Sequence, residues 1–295
     1  CLWGGILLIT IRYKKFISAV LFLLLFITIA YFIGFYEVKY AVSTSTSPSV
    51  KLPIIMYHHI LKDSKKWGKY VISPLEFEDD IIYLKKEGYT TIVMKDLIDY
   101  VYNKKPLPLK PIILTFDDGY LSNYEYIVPI LEKHGCKAVI SVVGEFIERN
   151  TAECISSTAY SYMNWDQIKE LVHSPYIEIQ NHSYSMHKIS KRRGASRKKG
   201  ESYEQYKIAL NNDVEKLQLL MKEKTGYRPT TFTYPYGFSS EESNQILIDM
   251  GFLATLSCNT GVNYISRNKE ELYNLKRFNR PNGVSQYKFF KQFEK

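Results

Sequence analysis

The chain has 295 residues, 45% hydrophobic and 23% charged, the balance of a globular protein with room for a catalytic domain of about 200–250 residues and a short appendage. Its net charge is +9, yet no nucleic-acid-binding signature accompanies the basic residues, so no nucleic-acid partner is expected. The four cysteines, Cys1, Cys136, Cys154 and Cys258, form no CxxC pair or zinc-ligand spacing, which argues against a cysteine-based metal site and for scattered buried thiols.

Residues 1–15 end in Arg12, Lys14 and Lys15. An uncharged apolar run, 16–36, follows and is long enough to cross a bilayer as a helix. Positive charge on its N-terminal side predicts a cytoplasmic tail over 1–15, a transmembrane signal-anchor over 16–36 and export of the remainder. The rival reading is a cleaved signal peptide with Ala41-Val42-Ser43 as the small-residue site. Residues 37–50 include the Ser/Thr-rich stretch Ser43–Ser49 and read as a flexible linker. The folded domain is expected over 51–295, with the cell membrane as its location and its catalytic face outside.

Within that domain short apolar runs alternate with amphipathic ones. Strands are expected at Pro53–Tyr57, Tyr89–Val93, Pro111–Phe116, Lys137–Val143, Ile177–Gln180, Thr230–Tyr234 and Gly251–Leu256. Helices are expected near Pro74–Glu87, Lys95–Tyr102, Asn123–His134, Trp165–Val172, Tyr203–Glu223 and Glu241–Met250. Alternation of this kind, without a dinucleotide or P-loop fingerprint, predicts a parallel α/β fold of barrel type.

Catalytic groups of such barrels gather at the C-terminal ends of strands. One strand here ends in Asp117-Asp118-Gly119, another in Asn181-His182 with His187 five residues on, a third in Pro235-Tyr236-Gly237 and the first in His58-His59. Two imidazoles and a carboxylate suit a divalent first-row ion with an open position, and a second carboxylate beside the first suits a base. Each piece alone is commonplace: Asp-Asp-Gly makes turns, and isolated histidines are usually structural. Together, and in this order after strands, they point to a metal site. Seven basic residues between Lys188 and Lys199 read first as a solvated, mobile loop and second as a holder of anionic polymer. The 25 tyrosines suit sugar recognition, though a biased genome gives the same count.

The segments Thr115-Phe116-Asp117-Asp118-Gly119-Tyr120, His182-Ser183-Tyr184-Ser185-Met186-His187 and Tyr234-Pro235-Tyr236-Gly237 resemble the successive motifs of the polysaccharide deacetylases, the NodB-like carbohydrate esterases of family 4. Met163-Asn164-Trp165-Asp166-Gln167 is also similar, and Met56-Tyr57-His58-His59-Ile60 resembles the branch containing poly-N-acetylglucosamine deacetylases. The resemblance runs from about Pro53 to Gly283. It implies a deformed or incomplete (β/α) barrel and removal of N-acetyl groups from an N-acetylated polysaccharide. Asp118, His182 and His187 would hold a divalent metal, zinc being the usual ion. Asp117 would be the base and the Tyr236 backbone N–H an oxyanion donor.

Two departures from the family pattern stand out. No histidine follows His187, so the acid that protonates the leaving nitrogen would be His58, with neighbouring His59 or no acid at all as alternatives. The arginine usual ahead of Pro-Tyr-Gly is replaced by Thr233-Tyr234, so Arg277 or Arg280 would orient the base. An O-acetyl esterase on the same residues, a carbohydrate-binding protein with a degenerate site and a glycosidase are the rival functions. The sequence leaves the polymer and the oligomeric state open.

Overall fold

The computed structural model describes residues 23–30 and 49–293. The chain divides into two units, Cys1–Pro48 and Ser49–Lys295. In the first, residues 23–30 are helical; the tail 1–15, the rest of the apolar run 16–36 and the linker up to residue 48 lie outside the described residues. No helix among the described residues is long and apolar enough to cross a membrane.

The second unit begins with β1 (Val50–Leu52), β2 (Ile54–Tyr57), β3 (His59–Ile60) and β4 (Val71–Ile72). Helix α1 (Pro74–Lys86), β5 (Thr90–Ile92), α2 (Met94–Tyr102) and β6 (Pro111–Phe116) follow. Next come α3 (Val128–His134), β7 (Ala138–Val142), α4 (Gly144–Glu153), α5 (Trp165–Leu171), β8 (Ile177–Asn181) and α6 (Tyr203–Thr225). The chain closes with β9 (Thr231–Thr233), α7 (Ser243–Asp249), β10 (Ala254–Leu256), β11 (Asn263–Ile265), β12 (Phe278–Asn279) and α8 (Gln286–Phe290).

An eight-stranded sheet runs β10-β9-β8-β7-β6-β2-β12, with β5 on the first half of β6, and every pair is parallel. The two edges meet through one segment. Leu275 bridges Leu256 of β10, and Phe278–Asn279 pair with Ile55–Met56 of β2. The sheet therefore curls into a deformed barrel whose last stave is only a few residues long. Antiparallel β1–β11 covers the sheet's start.

Alternation along β6 shows how the barrel is filled. All six of its residues are buried. Ile112, Leu114 and Phe116 join a cluster with helical Phe77, Ile81, Leu131 and Ile168, whereas Ile113 joins a different cluster with Ile54, Val139 and Leu256. Side chains two apart share a face, so Ile113, Thr115 and Asp117 point into the barrel. That inner face turns polar toward the strand ends: Thr115 Oγ1 donates to the Ile55 carbonyl at 2.8 Å, and Ser141 Oγ meets Thr233 Oγ1 at 2.7 Å.

Several elements differ from the sequence expectation. The Asn123–His134 helix opens with a π turn at Asn123–Ile127; Pro129 has no N–H to continue an α ladder. The last expected helix is shorter, Ser243–Asp249 rather than Glu241–Met250. Helix α4 was not expected. Among the described cysteines Cys154 is exposed rather than buried, and Cys136, Cys154 and Cys258 are free thiols. The basic segment is docked rather than loose. Ile189 bridges Arg193, Gly194 N–H donates to the Lys188 carbonyl at 2.9 Å, and Ala195 is fully buried.

Candidate active site

Three loops leave the C-terminal ends of β6, β8 and β9, and each holds a non-glycine residue in the left-handed region: Asp118 (φ 75°), Ser183 (φ 73°) and Tyr236 (φ 57°). Such backbone is sparsely populated for non-glycine residues and clusters at functional sites. At Gly237 (φ 72°) a Cβ would lie 2.6 Å from Cys258 Cβ, so only glycine lets this turn close on the β10 end.

The turn at Asp118 aims its carboxylate at two imidazoles. Ligand-capable atoms of Asp118, His182 and His187 all lie within 4.8 Å of one another. Asp118 Oδ1 stands 2.9 Å from His187 Nε2 and 3.5 Å from His182 Nε2, yet it is buried and makes no hydrogen bond. His182 Nδ1 sits 2.7 Å from the Thr233 carbonyl. Only a protonated Nδ1 can donate to it, which leaves the Nε2 lone pair facing Asp118 in the neutral ring. His187 Nδ1 meets Tyr236 Oη at 3.2 Å. Three donors thus converge on one point with an orphaned carboxylate oxygen among them, the arrangement a divalent cation satisfies. Electrostatics agree. Burial pushes the Asp118 carboxyl up, but the two histidines hold it well below the usual carboxylate range. Burial pulls His182 down, and Asp118 and Asp117 more than reverse that. The site attracts positive charge.

Asp117, 2% exposed, forms a two-pronged pair with Arg277: Nη1 to Oδ1 at 2.7 Å and Nη2 to Oδ2 at 2.8 Å. Arg277 is fully buried. Its remaining donors reach the Ser257 carbonyl at 2.8 Å and Thr115 Oγ1 at 3.1 Å. Burial raises the Asp117 carboxyl, but the Arg277 charge and His182 outweigh it and leave the group below its ordinary value. Arg280 stands elsewhere, paired with Asp80 at 2.9 Å through both Nε and Nη2.

The paired histidines of the first motif separate. His59 Nδ1 meets Ser122 Oγ at 2.8 Å, and its ring stacks on Tyr120 at 4.1 Å. His58 Nδ1 is buried without a partner, its ring edge-on to half-exposed Tyr70 at 4.8 Å. Burial depresses the His58 pKa, while Asp117 and Asp118 pull the other way. An aromatic wall missed by motif reading lines the centre: Tyr120 stacks on Tyr162 at 5.0 Å, Tyr162 on Phe146 at 4.3 Å, and Phe146 meets His187 at 5.7 Å. The Tyr236 ring covers His187 at 4.3 Å. The only sequence signal for this wall was the tyrosine that ends the Asp-Asp-Gly segment.

A family model described as polysaccharide deacetylase matches residues 104–255. The chain is 22% identical over 215 residues to the poly-beta-1,6-N-acetyl-D-glucosamine N-deacetylase of Escherichia coli (strain K12), covering 66% of this chain and 31% of that protein. It therefore spans less than a third of that relative. It is also 22% identical over 262 residues to the enzyme of the same name from Staphylococcus aureus (strain MRSA252), covering 81% and 84%. Among solved structures, a de-N-acetylase from Aggregatibacter actinomycetemcomitans shares the fold with a TM-score of 0.70 at 22% identity, over 82% of this chain and 99% of that one. Motif loops, barrel and family match agree: the chain belongs to the polysaccharide deacetylase family.

Proposed function

We propose that this chain hydrolyses N-acetyl groups of an N-acetylglucosamine-type polysaccharide outside the cell, releasing acetate. The observation that carries the reading is the convergence of Asp118, His182 and His187 beside a carboxylate, Asp117, held ionised by Arg277. Asp118, His182 and His187 would hold a divalent ion, zinc by preference, which when bound polarises the acetamide carbonyl and acidifies water. Asp117 accepts the proton of the attacking water. Arg277 fixes both carboxylate oxygens and keeps the group from storing a proton of its own. The Tyr236 backbone N–H donates to the developing oxyanion, a contribution of about 3 kcal/mol per donor in comparable sites. His58 gives a proton to the sugar nitrogen, and the C–N bond then breaks to leave amine and acetate. A depressed pKa makes His58 a stronger acid once protonated. It also moves the loss of the protonated form to lower pH.

The apolar run 16–36 acts as an uncleaved anchor on this reading, with the linker 37–50 holding the domain off the membrane. Extraction of the full chain by alkaline carbonate wash would count against the anchor. The activity is tested by acetate release from N-acetylglucosamine oligosaccharides, with O-acetylated xylan as the ester alternative. Metal-dependent acetate from the amide, abolished by Asp117→Asn, is the expected result. Release from the ester alone, or a rate indifferent to Asp117→Asn, would overturn the proposal.

A further inference from the structure

Between the loop that carries His187 and helix α6 lies a recess of about 520 Å³. Five cations line it, Lys188, Lys191, Arg192, Lys198 and Lys216, against a single acid, Asp213. That acid is already engaged. It accepts from the Tyr184 N–H at 2.8 Å and from the Ser185 N–H and hydroxyl at 2.9 Å each, so its charge pins the histidine loop to α6. Some of the positive charge is engaged too: Arg192 pairs with Glu201, Lys188 reaches Glu145 at 3.0 Å, and Lys216 lies 3.6 Å from the Tyr184 ring centre. No ion pair engages the ammonium of Lys191 or Lys198 among the described residues.

The loop that bears four of these cations is itself held in place. Arg193 stacks over Phe238 at 4.1 Å, Tyr206 Oη donates to the Ala195 carbonyl at 2.7 Å, and a Cβ on Gly194 would sit 2.4 Å from the Pro235 carbonyl oxygen. The basic loop therefore rests on the Pro-Tyr-Gly turn of the active site itself. Lys188 follows the ligand His187 directly, one Cα step of about 3.8 Å away. A sugar chain that leaves the active site along the His187–Lys188 loop would pass beside this recess. A neutral homopolymer has nothing to place against two uncommitted ammonium groups, whereas a phosphodiester or carboxylate has.

We infer that the recess takes an acidic substituent, phosphate or carboxylate, on a sugar next to the one losing its acetyl group, so that the preferred substrate is an anionic N-acetylated glycan. The inference rests on the deacetylase reading. Its test uses the metal-loaded full chain and three oligosaccharides of one length: neutral N-acetylglucosamine, one bearing phosphodiesters and one bearing lactyl carboxylates. At low salt kcat/KM for one acidic arm exceeds the neutral value by roughly fivefold, and the arm that responds identifies the anion. The excess disappears near 0.5 M salt, where screening shortens to a few ångströms. It also disappears in the Lys191→Ala/Lys198→Ala variant, whose neutral rate is unchanged. Equal rates on all three substrates, or a preference that survives the double substitution, overturns the inference. Absence of acetate from every substrate would instead remove the deacetylase reading. Calorimetric binding of the acidic oligosaccharides then decides the recess separately: loss in the double variant supports it, and unchanged binding rejects it.

Discussion

Replacing Arg277 by methionine leaves Asp117 buried with no partner, because both carboxylate oxygens are held by that one guanidinium. Removing one member of a buried pair typically costs about 3–5 kcal/mol. The pH dependence carries the sign. In the wild type the Asp117 carboxyl is depressed despite burial, so its stabilising share is present above the unfolded value and lost as pH falls through the folded one. Without Arg277 burial is opposed only by the weaker pull of His182 and His58, and the group rises. The variant's deficit then grows as pH rises through the new value and shrinks toward pH 4. Activity should fall by roughly 10²–10⁴, the usual worth of a positioned base, and its acid limb should move to higher pH. Urea unfolding at pH 4.5 and 8, with acetate release across the same range, measures both effects. Arg277→Met/Asp117→Leu should recover most of the stability and none of the activity. An Arg277→Met protein with wild-type kcat/KM and an unchanged unfolding midpoint at pH 8 would refute the reasoning.

His58→Gln should lower kcat at least 10²-fold with modest change in KM, and it should remove the fall in rate on the alkaline side. His59→Gln should instead cost about 1 kcal/mol of stability through its bond to Ser122 and leave the pH profile in place; the reverse pattern would move the acid to His59. Glu178, 9% exposed, has its carboxyl raised by burial to about 7 from 4.5. A raised acid contributes its full stability below the unfolded value and loses it as pH climbs through the folded one, a swing of about 3 kcal/mol. Glu178→Gln should therefore flatten the thermal midpoint between pH 5 and 8, and a profile identical to wild type would show that Glu178 is not the titrating group.

The parts of this molecule visible in the sequence are those where one strong local signal suffices. Pro111–Phe116 was legible as a buried apolar run, and its end placed Asp117 and Asp118 at the rim of the candidate site. Arg277 was legible only through an absence, the missing arginine ahead of Pro235; nothing local links it to a carboxylate 160 residues earlier in the chain. The last stave, Phe278–Asn279, has two residues, too few for any period to show. Helix α4 begins on Gly144, a weak helix former, and Gly144 is there because a Cβ would lie 2.6 Å from the Tyr184 ring. That is a tertiary reason, invisible along the chain. Charge density read correctly as a solvated surface over Lys188–Lys199, but the docking of the segment was hidden, because the buried residue that anchors it, Ala195, is too small to register as an apolar signal. What distinguishes His58 from His59 is the neighbours of each ring, Ser122 and Tyr120 for His59 and an unpartnered nitrogen for His58, and no local pattern carries those.

The central claim is that Asp118, His182 and His187 form a metal centre on which amide hydrolysis depends. Metal content and acetate release should be measured together on chelator-stripped protein titrated with zinc, alongside Asp118→Asn. The account predicts one ion bound per chain, acetate release rising in step with occupancy, and loss of both in the variant. Acetate release from metal-free protein, or stoichiometric binding that persists in Asp118→Asn, would contradict it.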